Sequence, residues 1–105
     1  YKHITPKIKR GDLIMFFSSL LQLYQSNITL VDAIKITLNT TPSKRFRAIL
    51  QSVLHSLSSG KSLYLAFKDY ELEVGSVVLT FLLSIDKNSD TKETLHSLIE
   101  YLQTK

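Results

Sequence analysis

The sequence predicts an all-α domain, and three observations support this fold class. Residues 46–57 carry apolar side chains at the 3.6-residue period of a helix, at Phe46, Ile49, Leu50, Val53, Leu54 and Leu57. Only three glycines and two prolines occur among 105 residues, so long helices meet few breaks. No segment shows the sustained two-residue alternation of a half-buried strand. The length, with 44% hydrophobic and 21% charged residues, is that of one ordinary globular domain.

The chain is predicted to begin with a loose basic arm over residues 1–10, which carry several lysine and arginine side chains and no acid. The domain itself is predicted over residues 11–105. Its first helix covers residues 12–25, where Asp12 places a negative charge at the positive end of the helix dipole. This helix is apolar over more than half of its circumference. We therefore expect it either to be central, which we prefer, or to bury a second face against a partner.

The next three predicted helices are separated by short breaks. The second covers residues 30–39, after a tight turn at residues 26–27. The third carries the apolar stripe, begins after residues 42–43 and ends before Gly60, because glycine enters the left-handed conformation that terminates helices at little cost. The fourth is short and covers residues 63–68.

A local pattern recurs along the chain. Residues 29–34 match residues 62–67 place for place, 33 positions later: a hydroxyl residue, Leu, two variable residues, Ala and a large apolar residue. The hydroxyls of Thr29 and Ser62 are predicted to cap the helices that follow them. Residues 94–99 form a weaker third copy. The chain is thus predicted to use a unit of long helix, tight turn and short helix repeatedly.

The last part of the chain is predicted to hold two more helices. Residues 69–73 form an acidic connector. The fifth helix, residues 74–86, is apolar nearly all round and is expected to lie deepest in the core. Its uncharged run is shorter than the roughly 20 residues that a membrane-spanning helix needs. After a turn at residues 87–90, the sixth helix covers residues 91–103.

No catalytic site, metal site or cofactor is predicted. The absence of cysteine excludes thiolate catalysis and cysteine-ligated zinc. The three histidines lie on different segments without metal-ligand spacing, and no phosphate-binding or nucleophile motif occurs. The acid-rich turn at residues 86–90 could hold a calcium ion through oxygen ligands, but it lacks the spacing of an EF-hand loop. Helix capping by Ser89 or Asp90 explains these residues adequately.

Charge is unevenly distributed along the chain. Residues 1–68 carry a net charge of +8 and residues 69–105 a net charge of −4, which predicts one basic and one acidic surface. The densest basic patch consists of Lys44, Arg45, Arg47, Lys61 and Lys68. It lacks the interleaved aromatic residues that stack on bases, so nucleic-acid binding is not predicted. A protein partner, anionic lipid headgroups and plain solvation remain open for it.

The pattern resembles the cytoplasmic domain of the type II secretion F family, the inner-membrane platform proteins of type II secretion systems and type IV pili. The resemblance covers roughly residues 12–102. It rests on Phe17 and Leu21 in the first helix, on the turn and cap of residues 26–34, and on the stretch from Gly60 to Phe67, which is its most specific part.

Three features depart from the family pattern. The small-Gly pair of the first turn is Ser26-Asn27 here. The family's G-E-x-S-G turn is replaced by residues 85–90, and the Phe-Pro that precedes the fifth helix is replaced by residues 73–75. The sequence is therefore similar to a divergent member, closer to those of type IV pilus machines than to those of standard secretion systems.

The resemblance implies a compact bundle of six antiparallel helices on the cytoplasmic side of the bacterial inner membrane, as the first of two such domains. It implies no enzymatic activity. The implied partners are the assembly ATPase that drives pilus biogenesis or type II secretion, other platform components and a second copy of the domain, with the anionic lipid surface as a further contact. An acidic partner or anionic lipid would contact the basic surface, which consists of Lys44, Arg45, Arg47 and Lys61. A different component would contact the acidic surface, which consists of Asp69, Glu71 and Glu73.

An alternative interpretation is a soluble helical-repeat adapter that binds a peptide in a groove. The offset of 33 residues is close to the period of tetratricopeptide repeats. The Trp, Gly, Tyr and Pro markers of that repeat are missing, and the second helices are too short. Packing into a closed bundle rather than a superhelical stack would decide against this alternative.

Overall fold

The computed structural model describes residues 7–87 and 90–104. All of the regular secondary structure in those residues is helical, which confirms the all-α fold class. The helices are α1 (Arg10–Gln25), α2 (Leu30–Leu38), α3 (Lys44–Ser58), α4 (Leu63–Lys68), α5 (Glu71–Val74), α6 (Ser76–Asp86) and α7 (Thr91–Thr104).

The described residues thus contain seven helices, and the predicted number of six is wrong. The additional helix is α5, a single turn inside the segment expected to be an acidic connector. Gly75 separates it from α6, since its φ of +97° lies in the left-handed region that a continuing helix cannot use. The Gly75 N–H donates to the Glu71 carbonyl at 2.8 Å and closes α5.

The turns that end α1 and α3 have the same geometry. Asn27 and Gly60 both adopt positive φ, at +69° and +97°. After α1, the N–H of Asn27 donates to the Tyr24 carbonyl and that of Ile28 to the Leu23 carbonyl, at 3.0 and 3.2 Å. The turn after α3 repeats both bonds at Gly60 and the residue that follows it. Each is a Schellman motif, which satisfies the last carbonyls of a helix.

The predicted hydroxyl caps are confirmed in the first two units. The Asp32 N–H donates to Thr29 Oγ1, and the Leu65 N–H donates to Ser62 Oγ, both at 3.2 Å. The third copy is wrong, because residues 94–99 lie inside α7. Asp90 caps that helix instead, by accepting a 3.2 Å bond from the Glu93 N–H.

The match between the two units extends back through their long helices. Four core positions of α1 are buried, and so is the residue 33 positions later in α3 in every case: Leu13 and Phe46, Phe16 and Ile49, Phe17 and Leu50, Leu20 and Val53. The ring of Phe16 meets that of Phe46 edge to face at 5.2 Å, so the two units pack directly against each other. Both long helices are therefore central, as expected for the first.

The expectation that the apolar fifth predicted helix lies deepest is wrong. Its structural counterpart, α6, exposes Val77 and Thr80. Four of the six stripe residues in α3 are at 0% exposure, namely Phe46, Ile49, Leu50 and Val53, whereas Leu54 and Leu57 are only partly buried. A helix that is apolar nearly all round can still leave one side to solvent, because much of a folded protein's surface is apolar.

The helices close into a ring. Each helix contacts the next one in the order α1, α2, α3, α4, α6 and α7. The most extensive contact, between α7 and α1, closes the ring, and α5 packs on α6. In a superhelical repeat array each unit touches only its sequence neighbours. The closed ring therefore disfavours the helical-repeat adapter. The antiparallel direction of neighbouring helices stays a prediction.

The segment before α1 is attached to the bundle. Ile8 is buried, and its N–H donates to the Glu73 carbonyl at 2.9 Å. We call residues 7–9 the N-terminal strap. The sequence predicts a loose arm over residues 1–10, but residues 7–9 are docked, because Ile8 supplies an apolar side chain to the core. Arg10 is already the first residue of α1. Residues 1–6 of that arm lie outside the described residues.

Candidate interaction surfaces

The predicted basic residues are mounted on α3. The Ser43 hydroxyl accepts a 3.1 Å bond from the Phe46 N–H and begins the helix. The apolar stripe faces the core, so the intervening cations point outward. Lys44 is exposed, and the Arg45 side chain is 48% exposed. These cations lie at the positive end of the helix dipole, where their charge is unfavourable unless something compensates it.

The side chain of Arg47, in α3, binds the loop that precedes this helix instead of pointing freely into solvent. Its Nη1 donates to the Thr41 carbonyl at 2.8 Å and to the Pro42 carbonyl at 3.5 Å. Thr41 is buried, and its hydroxyl donates to the Thr37 carbonyl at 2.9 Å. Arg47 therefore holds the connection between α2 and α3 in place.

Lys61 is distant from the other basic residues. It is exposed and follows the turn at the opposite end of α3. A helix of 15 residues separates the two ends, which is roughly 20 Å at the helical rise per residue. The predicted basic patch is therefore divided into two separate sites, because α3 holds Lys44 and Arg45 at one end and Lys61 beyond the other.

The predicted acidic surface is also divided. Asp69 and Glu71 are exposed, whereas Glu73 is only 5% exposed. Its Oε2 accepts a hydrogen bond from Arg45 Nη2, which makes an ion pair between α3 and α5. Glu73 therefore does not lie on an acidic face. The unexpected turn of helix α5 directs its carboxylate inward, and a buried carboxylate needs such a partner.

Glu73 connects three segments of the chain. Its carboxylate accepts from Arg45 at the start of α3, its carbonyl accepts from Ile8 in the N-terminal strap, and its own backbone lies in α5. Nothing in the sequence indicates this junction, because Arg45 and Glu73 are 28 positions apart. The uneven charge distribution in fact places them on opposite predicted surfaces.

The acid-rich turn after α6 serves as a helix cap. Asp86 accepts from the Leu63 N–H at 3.1 Å through Oδ1 and from the Tyr64 N–H at 2.7 Å through Oδ2. Asp90 caps α7, whereas Ser89 lies outside the described residues. Among residues 7–87 and 90–104, no group of three or more His, Asp or Glu side chains is placed to hold a metal ion. The capping interpretation of this turn is thus confirmed for Asp90, and Asp86 caps a second helix.

Lys68 stays on the surface at the end of α4. Its Nζ donates to the Tyr64 hydroxyl at 3.3 Å and lies 5.4 Å from the centre of that ring. The hydrogen bond to Tyr64 raises the pKa of Lys68 above its ordinary value, with smaller contributions from the charges of Glu71 and Asp69. Lys68 therefore remains a cation at every physiological pH, beside the exposed part of the acidic segment.

Comparison with known proteins identifies the family. The family model described as type II secretion system (T2SS), protein F, matches residues 16–105.

The chain belongs to the type II secretion system protein F family. Protein F domains are inner-membrane platform components of secretion and pilus systems, and the family is a structural platform domain that is not a known enzyme. The sequence resemblance is therefore confirmed, while assignment to a type IV pilus system stays a prediction. Comparison with curated proteins returns no match. Within the described part of the chain, no helix is both long and apolar enough to cross a membrane.

Proposed function

We propose that this chain is the cytoplasmic domain of an inner-membrane platform protein that couples an assembly ATPase to pilus biogenesis or type II secretion through protein–protein contacts. The observation that carries the proposal is the protein F match over residues 16–105. The closed ring of helices supports it, since such a fold offers outer surfaces rather than the concave groove of a repeat array. On this proposal the domain covers residues 11–105 and is the first of two copies, and the protein serves a type IV pilus system.

The contacts are proposed to use the charged residues that remain exposed. Lys44 and Arg45 at one end of α3, and Lys61 at the other, would meet acidic partners or anionic lipid. Asp69 and Glu71 would contact a different component. A second copy of the domain is one candidate for it. Arg47 and Glu73 would act indirectly, because one anchors the loop before α3 and the other holds Arg45.

The test is co-purification of the full-length protein from membranes with the assembly ATPase of the same system. Lys44→Glu reverses an exposed charge at the start of α3 and should reduce the amount of ATPase recovered. Lys61→Glu makes the same change about 20 Å away and shows whether the contact uses one end of α3 or both. Arg45→Glu is unsuitable, because it would place a second carboxylate beside the buried Glu73.

The melting temperature of each variant serves as the folding control. Loss of ATPase in a variant that melts like the parent supports the proposal. Absence of the ATPase from purified parent protein, in detergent and in native membranes alike, would overturn it.

A further inference from the structure

A groove lies between the N-terminal strap and the start of α3. It has a volume of about 470 Å³ and is open to solvent. Its lining combines three cations with one acid and two apolar residues, in addition to Ser43: Lys7, Lys9 and Arg45, then Asp12, then Ile8 and Pro42. The groove exists because Ile8 is anchored, by burial and by its hydrogen bond to the Glu73 carbonyl.

Arg45 is oriented in this groove by a carboxylate that a partner cannot reach. Glu73 is 5% exposed and accepts from Nη2 alone. A guanidinium has five N–H donors, and within the described residues the remaining donors of Arg45 make no other hydrogen bond. The side chain is 48% exposed, so these donors are accessible. Because the carboxylate of Glu73 already fixes the guanidinium of Arg45, the side chain loses little further freedom when it binds the carboxylate of a ligand.

We propose that this groove binds an acidic peptide segment of a partner protein, with Arg45 as the central donor, Lys7 and Lys9 at the rim, and Glu73 as the positioning residue. This deepens the proposed function by naming one contact surface and the chemistry of its partner. The planar fork of Arg45 matches a carboxylate, and the exposed ring of Pro42 offers a contact for an apolar side chain between acids. A recessed site of this kind suits a peptide better than the flat surface of a bilayer.

The first experiment measures peptide binding to the 105-residue chain by fluorescence anisotropy at low ionic strength. The probe is a labelled synthetic peptide in which Glu alternates with Leu, and the matched peptide has Gln in place of every Glu. Only the acidic peptide should bind. Arg45→Gln, and separately Lys7→Gln with Lys9→Gln, should weaken binding about 5- to 10-fold. The control Lys35→Gln, at an exposed lysine of α2 that does not line the groove, should change the affinity less than about twofold.

The second experiment separates positioning from general electrostatic attraction. Glu73→Gln makes the net charge of the chain more positive, so general attraction predicts tighter binding of the acidic peptide. Positioning predicts weaker binding instead, because Arg45 loses the carboxylate that orients it. Glu73→Asp keeps the charge and should restore part of the affinity. Far-UV circular dichroism and the melting temperature establish that each variant is folded.

Three results would overturn the groove proposal. They are equal affinity of the two peptides, unchanged affinity in the Arg45→Gln and Lys7→Gln/Lys9→Gln variants, and binding of phosphatidylglycerol vesicles without binding of the peptide. Loss of peptide binding alongside intact co-purification of the ATPase would reject the groove alone. The converse result, peptide binding without co-purification, would reject the proposed function and leave the groove.

Discussion

The unit formed by α1 and α2 and the unit formed by α3 and α4 follow one plan but are completed differently. Both have the same buried stripe, the same Schellman turn and a hydroxyl cap on the short helix. The short helix of the first unit has nine residues and that of the second has six. Neither helix is long enough to be stable alone, and the six-residue α4 depends most on contacts from outside itself.

The second unit is completed by a residue from outside it. Asp86, at the end of α6, accepts from the first two N–H groups of α4. In α2 the acid of the first turn is Asp32, which belongs to the helix itself and is exposed. The comparison indicates that a common local sequence produces a common turn, whereas the stability of the short helix depends on the rest of the fold.

The largest effects are expected from the stripe that the two units share. Leu50→Ala in α3 and Phe17→Ala in α1 each remove a fully buried side chain and should lower the free energy of unfolding by about 2–5 kcal/mol. Leu54→Ala and Leu21→Ala remove side chains that are only partly buried, and should cost about 1 kcal/mol. Urea denaturation measures all four. Equal costs for Leu50→Ala and Leu54→Ala would contradict the burial pattern described for α3.

An intermediate effect is expected from the cap that distinguishes the second unit. Asp86→Asn removes the charge from both hydrogen bonds to α4 and should cost about 1–3 kcal/mol. Hydrogen exchange should show the loss locally, with faster exchange at the Leu63 and Tyr64 amides. The matched change Asp32→Asn alters only the dipole interaction of α2 and should cost less than about 1 kcal/mol. If both changes cost the same, the external cap does not stabilise α4.

Effects of at most about 2 kcal/mol are expected from the turns that the units have in common. Gly60→Ala should cost about 1–2 kcal/mol, because a Cβ is unfavourable at positive φ. No neighbouring atom lies within 4 Å of the Cβ that this change adds, so the cost is one of backbone conformation. Asn27→Gly should be neutral or stabilise by a few tenths of a kcal/mol, since glycine is the preferred residue there. Thermal unfolding of both variants checks this, and a destabilising Asn27→Gly would indicate a role for the Asn27 side chain.

Local features of the sequence were predicted well because they depend on neighbouring residues. The stripe of α3, the left-handed residues Asn27 and Gly60, and the caps Thr29 and Ser62 all follow from interactions within about one helical turn. The most specific part of the family resemblance, the stretch from Gly60 to Phe67, consists of the same kind of local signal. The third copy of the unit failed because its pattern of residue types also fits the interior of a helix.

The sequence by itself determined the all-α class, the turns that end α1 and α3, and the family, since backbone hydrogen bonding and helical periodicity are local. Only the tertiary structure decided which charges are available to a partner. Arg45 meets Glu73 across 28 positions, and Asp86 reaches α4 across 23. Arg47 is bound to the loop before its own helix. These pairings depend on where the closed ring places each side chain. The sequence shows that a residue is charged, but not whether its side chain points into solvent or binds another group within the fold.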